Sequence, residues 1–274
     1  MVQIVLLTRL HIVLVLGGLA LLFSACSTVP ITGRKQLSLI PGSTMLSMSS
    51  QQYGEFLKTN KIGTDQQQIA LVKKVGRGIQ LAVEQYFREK NLSEQLSGYN
   101  WEFNLVESKE VNAWCMPGGK VVVYSGLLPV TQTEAGLAVV MGHEIAHAVA
   151  EHGNERMSQG LVAQFGGMAL QEALANNPEQ TQQLWMTAFG LGAQYGALLP
   201  FSRTQEGEAD HLGLIFMAMA GYDPNQAISF WQRMAAQKSG QAPPEFMSTH
   251  PSDETRIAKI RESLPEAMRY YRSK

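Results

Sequence analysis

Residues 137–149 are apolar almost without a break, yet they enclose His143-Glu144-Ile145-Ala146-His147. Leu137, Val140, Met141, Ile145, Ala148 and Val149 recur at helical spacing, which predicts a helix that is mostly buried. A buried helix does not carry two imidazoles and a carboxylate without partners, because stripping polar groups of water is costly. The histidines are four positions apart, on one helix face and one turn up. That spacing suits two ligands of a single zinc ion, with Glu144 in reach of a water on the metal. The plainer reading, three polar residues on a solvated face, is opposed by the apolar flanks.

The chain has 274 residues, 45% hydrophobic and 16% charged, ample for a sizeable core. A net charge of −1, with no basic run and no basic-aromatic interleaving, gives nothing that favours nucleic acid as a partner. Two cysteines, Cys26 and Cys115, are too few for a disulfide framework. Cys115 is expected as a small buried hydrophobe, with a redox role as the alternative.

Residues 1–25 read as a signal peptide. Arg9 precedes an apolar run from Ile12 to Phe23, and the small Ser24 and Ala25 lead to Cys26. This resembles a bacterial lipoprotein signal, which implies acylation at Cys26 and anchoring to a membrane. Ser27 after the cysteine implies the periplasmic face of a Gram-negative outer membrane. Residues 26–52, rich in Ser, Thr, Gly and Pro, are expected as a lipidated tether that becomes ordered towards its end, and 53–274 as the domain.

Within the domain, residues 65–90 predict a helix with Ile69, Val72, Val75, Ile79, Val83 and Phe87 on one face. Trp101 to Glu107 and Lys120 to Tyr124 predict strands, the second entered by a turn at Pro117-Gly118-Gly119. Thr131-Gln132-Thr133-Glu134 fits a capping box, so the His143 helix is expected from Thr131 to about Gly153. Residues 158–200 are charge-poor and are read as buried or mobile helices rather than a membrane span. Further helices are expected from Arg203 to Ala220, from Pro224 to Gln237 and onward from Pro251.

A catalytic zinc needs three protein ligands and an open position. His152, His211, His250 and the carboxylates of Glu206, Glu208 and Asp210 are candidates for the third. His152, on a continuous helix, would face about 140° away from His147 and could not close the site. Glu206 and Asp210 share one helix face. If Glu206 binds the metal, Asp210 can accept a proton from a ligand imidazole. Glu208 is expected to face solvent or be paired.

His143–His147 followed by Glu206-Gly207-Glu208-Ala209-Asp210 resembles the gluzincin metallopeptidases of the CAAX prenyl endopeptidase type, metallopeptidase family forty-eight. Asn112-Ala113-Trp114 with Pro117-Gly118-Gly119 resembles the family's substrate-side strand. Ser248-Thr249-His250-Pro251 with Arg256 resembles its later active-site segment. Thr32-Gly33-Arg34-Lys35-Gln36-Leu37 resembles the stretch after the lipid cysteine in short periplasmic members related to the β-barrel-assembly-enhancing protease.

The resemblance implies an α+β, predominantly helical, zincin-like (minigluzincin) fold with a small sheet beside the zinc helix. It implies one Zn2+ per chain held by His143, His147 and Glu206, with Asp210 behind a ligand. Glu144 would act as base, and His250 and Arg256 would steady the oxyanion or the substrate. His250 could also plug the open position at rest. Substrate would add as a strand near Asn112, Ala113 and Trp114, although core packing explains Trp114 equally well. The expected activity is zinc endopeptidase action on misfolded or stalled envelope proteins, with the outer-membrane assembly machinery as a further partner. The competing readings are a chaperone-like binding protein with a locked zinc site and a hydrolase of non-peptide esters.

Overall fold

The computed structural model describes residues 26–29, 32–175, 199–236 and 254–272, together with 179, 183, 246 and 250. The expected signal peptide and about half of the charge-poor stretch lie outside the described residues. Two short strands, β1 (Cys26–Thr28) and β2 (Lys35–Leu37), pair antiparallel and lead into helix α1 (Gly42–Thr59). Helix α2 (Gln66–Glu89) follows, capped by Asp65, whose carboxylate accepts from the amides of Gln67 and Gln68. Strands β3 (Glu102–Val106), β4 (Ala113–Met116) and β5 (Lys120–Tyr124) come next. After the short helix α3 (Leu128–Thr131) the chain is helical: α4 (Glu134–Val149), α5 (His152–Leu174), α6 (Leu199–Met219), α7 (Gln226–Ala236) and α8 (Glu254–Ala267). The molecule is therefore predominantly helical with small sheets, as the sequence predicts.

The main sheet has the order β3-β5-β4, with β3 parallel and β4 antiparallel to β5. Gly118 and Gly119 take φ of 85° and 78° in the β4–β5 turn, a region open to glycine at little cost. All five residues of β5 are buried, because helices cover both faces of the sheet. Val121 and Val123 join the main core with α2 and α4, whereas Val122 and Tyr124 pack with Tyr53 and Phe56 of α1. This places β4 on the sheet edge among the described residues.

Helix α4 runs through the middle of the core, with thirteen of its sixteen residues buried. It packs on α2, α6, α7 and β4. A helix enclosed on all sides must be apolar all round, which explains its composition.

Three local expectations change. The cap of α4 is Thr133, whose hydroxyl accepts from Gly136 N, because Leu128–Thr131 already forms its own short helix. Helix α4 ends at Val149 rather than near Gly153, and Glu151 adopts a left-handed φ of 58° before α5 begins. Residues 26–52, expected to become ordered only towards their end, are packed from early on where described. Val29 is fully buried, Leu39 N donates to Ser158 Oγ, and the boundary expected at 53 falls inside α1.

Candidate metal centre

Helices α4 and α6 meet at two glycines. A Cβ on Gly142 would stand 2.9 Å from Gly213 O, so only hydrogen fits. This crossing lays Glu206 and Asp210 of α6 against His143 and His147 of α4. The buried His250 closes the group from the C-terminal side, its amide donating to Phe246 O.

Four donor atoms face one another. His143 Nε2 is 3.0 Å from His147 Nε2 and 3.1 Å from His250 Nδ1. Glu206 places its oxygens 3.4 Å from His143 Nε2, 3.3 Å from His147 Nε2 and 3.0 Å from His250 Nδ1. One ligand atom from each of the four residues lies within 4.8 Å of all the others. Ligands about 2.0–2.1 Å from a tetrahedral zinc stand about 3.3–3.4 Å apart, so the donor set fits such an ion closely.

The electrostatics favour a cation. Burial alone would lower His143, but Asp210 and Glu206 outweigh it and raise its pKa to about 9. Glu206 itself lies well below the usual carboxylate range: burial opposes this, but the three imidazoles prevail. Burial drives His147 well below the ordinary histidine value. Glu144 is pushed up by burial, and its Oε1 is enclosed without a hydrogen-bond partner, 3.4 Å from His250 Nε2. An orphaned carboxylate oxygen beside four converging donors is what a base awaiting a water looks like.

Asp210 Oδ1 accepts from His143 Nδ1 at 3.0 Å, which leaves His143 Nε2 free to face the centre. Arg256 clamps Asp210 through Nε and Nη2 at 2.7 and 2.8 Å, and its Nη1 lies 3.1 Å from Glu206. Its guanidinium also stacks 3.6 Å from the Trp231 ring centre. Arg256 is therefore buried behind the carboxylates, away from the groove in which a substrate oxyanion would form.

That groove, about 730 Å³, runs beside β4 and is lined by Asn112, Ala113, Glu144, His147 and His250 among others. Trp114 and Cys115 of β4 also border it, with the Trp114 ring in the smaller cluster on the α1 side of the sheet. There it packs edge-on against Phe56 and Tyr53, and its Nε1 donates to Tyr124 Oη at 3.4 Å. Cys115 is half-buried in the same wall, and burial raises its thiol well above the ordinary range.

Of the other candidate ligands, His211 pairs with Glu266 at 3.6 Å, away from the cluster. His152 departs most from expectation. The left-handed Glu151 swings it back, so its Nδ1 reaches 2.8 Å from His147 Nδ1 and its Nε2 3.0 Å from Glu208. Glu208 is buried and also takes hydrogen bonds from Thr32 and Arg34. The sequence reading missed this set because it continued α4 through residue 153.

A helix-borne pair of imidazoles, a carboxylate from a second helix and a buried glutamate beside them form a donor set compatible with the metal site of a metallopeptidase. The chain belongs to peptidase family M48, whose model matches residues 74–264. The mitochondrial metalloendopeptidase OMA1 of Schizosaccharomyces pombe is 40% identical over 174 residues, 63% of this chain and 49% of its own length. OMA1 of Saccharomyces cerevisiae is 28% identical over 269 residues, 92% of this chain and 75% of its own. The β-barrel assembly-enhancing protease of Escherichia coli is 30% identical over 165 residues, 59% of this chain and 34% of its own. The chain spans about half the length of the fission-yeast relative.

These matches carry the family but not the CAAX prenyl endopeptidase type. They also correct the expected location on the periplasmic face of a bacterial outer membrane: relatives aligned over 63% and 92% of this chain are mitochondrial by name. Among the described residues no helix is long and apolar enough to cross a membrane.

Proposed function

We propose that the chain is a zinc-dependent endopeptidase that cleaves extended segments of unfolded or misfolded polypeptides. His143, His147 and Glu206 would hold the ion. A bound zinc supplies a Lewis acid for the scissile carbonyl and lowers the pKa of a water to about 7. Glu144, its carboxylate pushed up by burial, takes a proton from the attacking water and returns it to the leaving amine. Asp210 and Arg256 act behind the ligands, orienting His143 and balancing the charge of Glu206. Arg256 thus serves as a positioning residue, and support of the oxyanion falls to His250, which lines the groove.

Substrate would lie along β4, an edge strand among the described residues, where backbone hydrogen bonds from Ala113 to Met116 give affinity with little side-chain choice. Asn112 and Ala113 border the reacting centre, and Trp114 stiffens the strand from behind. At rest, His250 Nδ1 lies at the fourth corner of the donor set, so it would hold the open position until substrate moves it.

The observation that carries this reading is the convergence of four donor atoms beside the unpartnered Glu144 Oε1 at the floor of a groove. The test is cleavage of unfolded casein by the zinc-loaded protein, with Glu144→Gln as comparison. Loss of the base should slow turnover by about 10²–10⁴ with zinc still bound. Cleavage at the parent rate in Glu144→Gln would refute the assignment.

A further inference from the structure

We propose that His152 is a positioning residue for the metal centre, accepting a hydrogen bond from His147 Nδ1 and held in turn by Glu208, Thr32 and Arg34. This rests on the metal-site reading above and adds the N-terminal hairpin to the machinery.

The argument is one of hydrogen accounting. His147 Nδ1 and His152 Nδ1 face each other at 2.8 Å, so one of them must carry the hydrogen. His152 Nε2 lies 3.0 Å from Glu208 Oε2, and a carboxylate only accepts. His152 therefore carries its hydrogen on Nε2. With that hydrogen on Nε2, the Nδ1 that faces His147 is left as the acceptor, since a His147 that ligates through Nε2 keeps its own hydrogen on Nδ1. His147 Nδ1 must then donate, and its own single hydrogen is accounted for. The consequence is that His147 Nε2 presents a lone pair to the centre, as a ligand must. Asp210 does the same for His143 from the opposite side.

The chain continues outward. Glu208 accepts from Thr32 Oγ1 and, at 2.8 Å, from Arg34 Nε. The other end of Arg34 grips both oxygens of the buried Glu155 at 2.8 Å each. Glu155 accepts as well from Gln205 Nε2 at 2.7 Å, beside Glu206 in sequence. Arg34 thus fastens β2's approach to both α5 and α6. Thr32 and Arg34 precede residue 74, so this support lies outside the segment that matches the family model.

The test is zinc affinity of the full chain, stripped and reloaded in competition with a chromogenic chelator, with thermal melting alongside. The cobalt-substituted spectrum adds a report on ligand geometry. His152→Ala should weaken zinc binding by about 10–100-fold and shift the cobalt spectrum. His152→Asn places an amide oxygen near the site of Nδ1, accepts the same bond, and should recover most of the affinity. Arg34→Met should weaken zinc in the same direction by a smaller factor. A merely structural role predicts lower melting temperatures with zinc affinity unchanged. Folded His152→Ala with the parent's affinity overturns the proposal, as does His152→Asn no better than alanine. If His152→Ala does not fold, Arg34→Met decides: weaker zinc supports the proposal, unchanged zinc overturns it. A parent chain that binds no zinc refutes the underlying metal-site reading instead.

Discussion

Gly213 lies so close to His143 that a Cβ placed on it would stand 2.9 Å from the His143 amide nitrogen. The two helices carrying the centre are therefore in backbone contact at the first histidine. That contact sets how far Glu206 and Asp210 stand from the imidazoles.

Gly213→Ala should accordingly cost stability and metal together. Overpacking against backbone costs about 1–3 kcal/mol, and the gain in helix propensity, about 1 kcal/mol, offsets only part of it. Gly207→Ala on the same helix meets nothing within 4 Å among the described residues and should be neutral or stabilising. Urea unfolding of the two variants checks the contrast. Equal effects would show that the crossing is not close in solution.

Arg256→Met should be among the most damaging single changes. It strips Asp210 and Glu206 of their buried counter-charge and removes the stack on Trp231. Breaking a buried pair this way costs about 3–5 kcal/mol. Chemical denaturation of the variant, with and without zinc, measures it. A loss below about 1 kcal/mol, the scale of an exposed pair, would contradict the buried clamp.

The pH dependence of stability should carry the signature of Glu208. Burial opposes its ionisation, yet His152, Thr32 and Arg34 prevail and hold it at about 2, below the ordinary value of 4.5. A folded pKa below the unfolded one contributes stability that is full above 4.5 and is lost as pH falls through 4.5 towards 2. The difference in unfolding free energy between parent and Glu208→Gln should therefore shrink across that window. A difference that stays flat or grows on acidification would contradict the ion pairing.

His250→Ala should raise basal peptidase activity if His250 Nδ1 occupies the fourth corner of the donor set. A plug present in about nine of ten molecules holds activity down about tenfold, so an increase of that order is expected with zinc retained. Lost activity at undiminished zinc content would instead show that its support of the oxyanion outweighs the plug.

Sequence alone revealed those parts of the centre governed by short-range periodicity. The four-residue spacing of His143 and His147 and of Glu206 and Asp210 placed each pair on one helix face. Strands and turns were legible where β-branched runs met glycine, as at Lys120–Tyr124 after Gly118-Gly119. What stayed hidden depended on a single backbone angle or on distance along the chain. Nothing in the local pattern marks Glu151 as left-handed, and without that turn His152 points away from His147. Arg34 meets Glu208 across 174 positions, a pairing that only the folded packing of the hairpin on α5 and α6 creates. The Trp114 ring could have faced either side of its strand. The register Trp114↔Val122 sends it to the α1 side, with the smaller cluster.

The most direct measurement is diffraction from zinc-loaded crystals at energies on either side of the zinc absorption edge. The account predicts one anomalous peak per chain, about 2.0–2.1 Å from His143 Nε2, His147 Nε2 and a Glu206 oxygen. No peak there in fully loaded crystals, or a peak bound elsewhere with Glu206 turned away from both rings, would contradict it.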